Sequence, residues 1–156
     1  MGMVLVESVT VGSGAAASIE FTGIPQTGVD LLLKFSIRDS AVVLNLKVNS
    51  SDSTAFKSLY YSPGSQSGTA IYPYVVPSSF TANTFGNGEF YFPNYTSSAN
   101  KSASGDVVTE NNNSTYYSAI YAAQFGSSAI SSIQLVSAGT GFVQHSTASL
   151  YIITKA

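Results

Sequence analysis

The chain has 156 residues, a formal net charge of −2, 44% apolar residues and only 9% charged ones. The apolar share is enough for a folded core and excludes a disordered chain, and six scattered basic residues (Lys34, Arg38, Lys47, Lys57, Lys101, Lys155) exclude the clustered positive charge that phosphate binding needs. With no cysteine there is neither a disulfide framework nor a thiolate site.

Taken in chain order, Met3 to Val11 reads as a first strand, with Val4, Val6 and Ser8 opposed to Leu5, Glu7, Val9 and Val11. Gly12 to Gly14 is a turn. Ala17 to Thr22 is a short strand with Ile19 and Phe21 on one face. After the Gly- and Pro-punctuated loop 23–28, Val29 to Arg38 carries Val29, Leu31, Leu33, Phe35 and Ile37 on one apolar face. Asp30, Lys34, Ser36 and Arg38 take the other. Asp39-Ser40 then predicts a tight turn, and Ala41 to Asn49 repeats the alternation with Val42, Leu44, Leu46 and Val48 inward. Two alternating runs around two polar residues predict a β-hairpin.

Thr54 to Tyr61 predicts another strand. Ser62 to Gly68 reads as a polar loop. Ile71 to Pro77 has apolar bulk but two prolines, which confine it to an edge strand or an ordered loop. Ser78 to Gly88 reads as loop, followed by a short strand at Glu89–Phe92, a polar strand at Ser102–Glu110 and a turn at Asn111–Ser114. Tyr116 to Phe125 alternates Tyr117, Ala119, Tyr121, Ala123 and Phe125 on one face, and Ala129 to Ser137 points Ile133 and Leu135 inward. The last strand, Ser146 to Ile153, is apolar on both faces, which predicts an interior position in its sheet rather than a free edge. About ten strands at regular spacing, with turn residues between them, predict one all-β domain over residues 1–156, an antiparallel two-sheet sandwich.

The chemistry is sparse. Adjacent residues on a strand point to opposite faces, so His145 and Ser146 are not expected to act as base and nucleophile. Asp106, Glu110 and Asn111 to Asn113 lack the spacing of a calcium loop, and no Cys/His cluster offers a zinc site. The remaining carboxylates are dispersed and expected to be solvated. No catalytic, cofactor-binding or metal-binding residue is expected, and the chain reads as a non-enzyme. No apolar run approaches the ~20 residues of a membrane span, and no basic-then-apolar leader is visible. No membrane or nucleic-acid partner is expected, and synthesis in a cytoplasm is. Tyrosine suits interfaces because it offers apolar area and a hydroxyl at little entropy cost. The candidate protein-contact residues are therefore Met3, Val4 and Leu5 on the first strand and Tyr60, Tyr61, Tyr72, Tyr74 and Tyr95 around the middle loops.

Several stretches carry a resemblance: Phe21-Thr22-Gly23-Ile24-Pro25 before Leu31-Leu32-Leu33, Pro93-Asn94-Tyr95-Thr96-Ser97 with Lys101-Ser102, Ile133-Gln134-Leu135, and Phe142 through Tyr151. In these the chain resembles small virion surface proteins of tailed bacteriophages, although Ile152 stands where such proteins often carry glycine. The resemblance implies a jelly-roll-like sandwich acting as a decoration (cement) protein. It would bind the major capsid protein on the outer head surface, as a homotrimer, within a virion assembled in the host cytoplasm. A receptor- or carbohydrate-binding domain of a fibre or spike is the alternative.

Overall fold

The computed structural model describes residues 2–60, 64–109 and 117–154, with no helix among them. Twelve strands form: β1 (Gly2–Thr10), β2 (Ser18–Phe21), β3 (Asp30–Asp39), β4 (Leu44–Val48), β5 (Ala55–Tyr60), β6 (Gly64–Gly68), β7 (Val76–Pro77), β8 (Gly86–Phe92), β9 (Lys101–Val108), β10 (Ser118–Phe125), β11 (Ile133–Ser137) and β12 (Thr147–Thr154). Two antiparallel sheets result. The larger runs β1-β12-β3-β8-β9-β10-β5-β6, with the two-residue β7 added parallel to the end of β3. The smaller runs β2-β11-β4. The fold is thus an all-β sandwich with layers of very unequal width.

Alternation explains the layering. Leu31, Leu33, Phe35 and Ile37 of β3 are all buried, as are Phe90 and Phe92 of β8, Ala119, Tyr121, Ala123 and Phe125 of β10, and Ala148, Leu150 and Ile152 of β12. They face Ile19 and Phe21 of β2, Leu44, Leu46 and Val48 of β4, and Ile133 and Leu135 of β11. Each large side chain buried there is worth roughly 1.5–3 kcal/mol. Two strand glycines let neighbouring strands pack closely in this core. A Cβ at Gly88 would strike the Phe35 ring, and one at Gly105 would strike Glu89 O and the Phe90 ring. Both sit opposite aromatic residues in register, Gly88 against Phe35 and Gly105 against Phe90.

The final strand lies between β1 and β3, interior to its sheet as expected. The expected hairpin does not form. β3 pairs β12 and β8, whereas β4 pairs β11 in the other sheet. Alternation states which face of a strand is apolar but not which strand lies beside it, and β3 and β4 bury their apolar faces from opposite layers. Asp39 makes the crossing. It is fully buried, not solvated in a turn, and its Oδ1 accepts from Ser40 N (2.6 Å) and Ser137 Oγ (2.8 Å). The Ser40 hydroxyl in turn accepts from Thr140 N (2.6 Å).

Residues 64–68, expected as loop, form β6, which pairs β5 from Phe56↔Gly68 to Tyr60↔Gly64. A Gly-Ser-Gln-Ser-Gly run has little strand preference of its own, so the pairing comes from the neighbouring strand. The proline-flanked stretch covers the free edge of β4: Leu44 N donates to Pro73 O (2.9 Å), Leu46 N to Ile71 O (3.3 Å), and Val75 N to Val42 O (2.9 Å). The turn expected at Asn111–Ser114 lies outside the described residues.

Leu33→Ala, on the buried face, should lower unfolding free energy by about 2–5 kcal/mol. Leu59→Ala, on the outward face at 62% exposure, should change it by no more than about 0.5 kcal/mol. Urea denaturation of both variants checks the assignment of faces.

Candidate interaction surface

The three-stranded sheet covers one face of the nine-stranded sheet, and the opposite face is turned outward. Cross-strand register places Leu5, Tyr151, Leu32 and Tyr91 in one outward row. Met3 and Ile153 stand beside it as another direct pair. The next row holds Ser149, Lys34, Glu89, Asp106, Ile120 and Leu59. Apolar groups thus gather near the β1 end and again at Ile120 and Leu59. A polar centre lies between them, where Lys34 Nζ meets Glu89 Oε2 at 3.2 Å. That centre is a shallow trough of about 480 Å³, lined by Lys34, Ser36, Asn87, Glu89, Asp106, Thr147, Ser149 and Tyr151 among others. On its flank Tyr91 Oη donates to Asp30 Oδ2 (2.6 Å). That bond, chiefly, holds the phenol pKa above its ordinary value.

The strand β1 is the edge of this sheet and every residue along it is exposed or half-exposed. Met3, Val4 and Leu5 are 57%, 55% and 52% exposed. Val4 pairs with Ile152, which is buried, and so points to the inner side. Its own exposure means the second layer does not reach this end of β1. A β-bulge between Leu5 and Glu7 breaks the alternation expected for the strand.

The tyrosine candidates separate. Tyr72 is exposed at 42%. Tyr74 is half-buried and stacks on Tyr117 (centroids 4.6 Å, 4° apart), with Phe80 on Tyr117's flank at 6.2 Å. Its backbone N donates to Tyr121 Oη (3.3 Å), a buried hydroxyl whose pKa burial pushes up. Tyr95 is no surface residue: it is fully buried, donates to Pro25 O and accepts from Gly28 N (3.2 Å), tying the loop after β2 to the core. A tyrosine after Pro-Asn in a polar loop looks exposed by sequence, but its ring is large enough to plug the end of a sandwich. Tyr60 is the last residue of β5, and Tyr61 lies outside the described residues.

Two of the scattered cations are internal. Arg38 is only 7% exposed. Its guanidinium donates to the carbonyls of Thr81 (2.7 Å), Thr84 (3.1 Å), Ser78 (2.9 Å) and Phe80 (3.0 Å), holding loop 78–84 against the end of β3. Lys101 is 1% exposed and donates to the carbonyls of Ser97 (2.6 Å), Ala99 (2.5 Å) and Ser127 (3.1 Å). Burial draws its pKa below the ordinary 10.5, and the three carbonyl acceptors oppose that shift by favouring the ammonium. Nothing in the residue types announces these cages, since backbone acceptors leave no sequence signal.

The Ser146 hydroxyl is buried and bonded to the Arg38 backbone, accepting from its N (3.1 Å) and donating to its O (3.1 Å). His145 is exposed, with φ of 72°. Among the described residues no group of three or more His, Cys, Asp or Glu side chains is placed to hold a metal ion. No helix among the described residues is long and apolar enough to cross a membrane. No protein-family model matches the chain, and no curated protein or solved structure is significantly similar to it.

Arg38→Met should take the donor from the carbonyls of Ser78, Phe80 and Thr84, while Thr81 O keeps the Thr84 hydroxyl (2.8 Å), and should destabilise the fold by about 3 kcal/mol, since each buried unsatisfied group costs roughly 1–3 kcal/mol. For Lys101 the lowered pKa means the unfolded chain holds more protons at alkaline pH, so this position's contribution to stability rises as pH climbs through the folded value toward 10.5. Lys101→Met should be destabilising and should abolish that rise, as read from melting temperature against pH. Tyr74→Ala should lower the melting temperature, whereas Tyr72→Ala should leave it unchanged.

Proposed function

We propose that this chain is a viral structural protein, a decoration protein that binds the outer surface of a tailed-phage head and stabilises it. The observation that carries the reading is the placement of exposed apolar side chains on a rigid sheet. Met3, Leu5, Tyr91, Ile120 and Leu59 all stand outward on strands rather than on loops, and strand-borne groups lose little freedom on binding. Low charge supports it as well. With Arg38, Asp39 and Lys101 inside, the skin is poorer in ions than even the 9% charged composition implies. Such a surface suits a protein partner better than a polyanion. The resemblance to phage virion surface proteins, carried by the stretches from Phe21 to Tyr151, supplies the head as the partner.

The mechanism is mass action. A protein that binds the assembled shell and not its dispersed subunits stabilises the shell by RT ln(1 + [L]/Kd), about 2.7 kcal/mol per site at a hundredfold excess over Kd. Multiple attachment raises the effect through effective concentration.

The polar trough between the apolar ends supports a second reading, a carbohydrate-binding domain of a fibre or spike. Asn87, Glu89, Asp106 and Ser149 offer hydrogen-bonding groups beside Tyr151, a ring on which a sugar can lie.

Purified protein added to undecorated heads should cosediment with them and raise the temperature at which they open. Absence of both effects contradicts the decoration reading. Binding to host-surface glycans on an array, abolished by Tyr151→Ala, would replace it with the second.

A further inference from the structure

We infer that β1 is a self-association edge, at which two copies of the chain pair antiparallel about a twofold axis to continue the nine-stranded sheet. This goes beyond the decoration reading and does not depend on which partner the outward face takes.

The argument begins with what the sheet leaves open. A terminal strand presents a row of unpaired N–H and C=O groups, and natural proteins blunt such rows with short strands, lysine, proline or a covering segment. The described edges are treated unequally. The β4 edge is covered by residues 71–75. The β2 strand has four residues, and β6 has five, all Gly, Ser or Gln. By contrast β1 has nine residues, contains neither lysine nor proline, and exposes Met3, Leu5 and Val4 on its two sides. Its bulge at Val6 is the one blunting device, and it leaves Gly2–Leu5 regular in its pairing with β12.

The occupant follows from the strand's composition. A pairing strand must match an extended, uncharged, aliphatic edge, and β1 itself has that character. Glu7 is its one charge. An antiparallel pairing centred on Val4 stays within the regular segment, setting Val4 opposite its own copy and Met3 opposite the copy's Leu5 on the outward side, and keeps the two Glu7 positions six residues apart. That separation is roughly 20 Å along the strand, beyond the ~8 Å screening length at physiological ionic strength. Like charges are therefore never directly opposed. The rival edge, β6, offers glycine at both ends and no β-branched residue, so joining β1 to β6 of a next copy pairs a strong edge with a weak one. That rival matters because a threefold ring, the state implied by the virion-protein resemblance, needs such a heterologous contact, whereas a strand paired with itself closes at two copies.

The test is the mass of the full-length protein by light scattering between 1 and 100 µM, with a crosslink for the register. The wild type should reach the mass of a dimer. Leu5→Lys should weaken the dimer at least tenfold while keeping the wild-type circular dichroism and melting profile of a diluted monomer. As the chain has no cysteine, Val4→Cys, at the residue that meets its own copy, provides a second variant that keeps an uncharged edge. It should form a disulfide-linked dimer on mild oxidation, whereas Leu59→Cys on the far side of the sheet should not. A monomer at 100 µM, a trimer, or equal crosslinking at both positions overturns the inference. Head binding is read separately by cosedimentation, so a monomeric protein that still binds heads sinks the edge pairing alone, and a dimer that ignores heads sinks the decoration reading alone.

Discussion

The structure depends on burying two alternating apolar faces against each other from layers of different width. The nine-stranded sheet contributes its inward side from β3, β8, β10 and β12, and the three-stranded sheet contributes Ile19, Phe21, Leu44, Leu46, Val48, Ile133 and Leu135. Because the second layer is narrow, it cannot cover the broad sheet to its margin. That mismatch leaves Val4 on the inner side yet 55% exposed, and it makes β1 an outlying strand held chiefly by its pairing with β12. The surface features on which the functional reading rests are consequences of this geometry.

A second constraint is the disposal of charge. Arg38 and Lys101 are caged by backbone carbonyls of the loops they hold, and Asp39 is bonded by Ser40 and Ser137 where the chain crosses between sheets. A cation with several carbonyl acceptors satisfies loop backbone that would otherwise be buried without partners. The same arrangement removes charge from the skin. The loops 78–84 and 97–99 are thereby ordered without regular structure of their own, and the outward face carries Ser, Thr, Asn, Tyr and aliphatic residues around a small group of ions, Lys34, Glu89 and Asp106.

Much of this was legible in the sequence, and the limits of legibility have physical causes. Two-residue periodicity identifies the inward residues of β3, β4, β10, β11 and β12, because side-chain alternation is a property of the strand itself. It is silent on neighbours, so β3 and β4 read as a hairpin although they lie in different layers. β6 is invisible because its pairing is imposed by β5. The buried roles of Arg38, Lys101 and Tyr95 are invisible because their partners are mainly backbone atoms, which no residue type announces, and that of Asp39 because its partner Ser137 is far away in sequence. Of the candidate contact residues, Met3, Val4 and Leu5 stand exposed on a free edge and Tyr72 on a loop, while Tyr74 and Tyr95 are drawn into packing by aromatic stacking and by the need to plug the sandwich end.

The claim that ties these observations together is that the broad sheet's outward face and its β1 margin grip another protein. Hydroxyl-radical footprinting of the chain, free and then seated on phage heads, measures this side chain by side chain. The account predicts that Met3, Leu5 and Tyr91 lose reactivity on the head while Tyr72 keeps its own. Unchanged reactivity along β1 and the outward row, with protection confined to the loops, would contradict it.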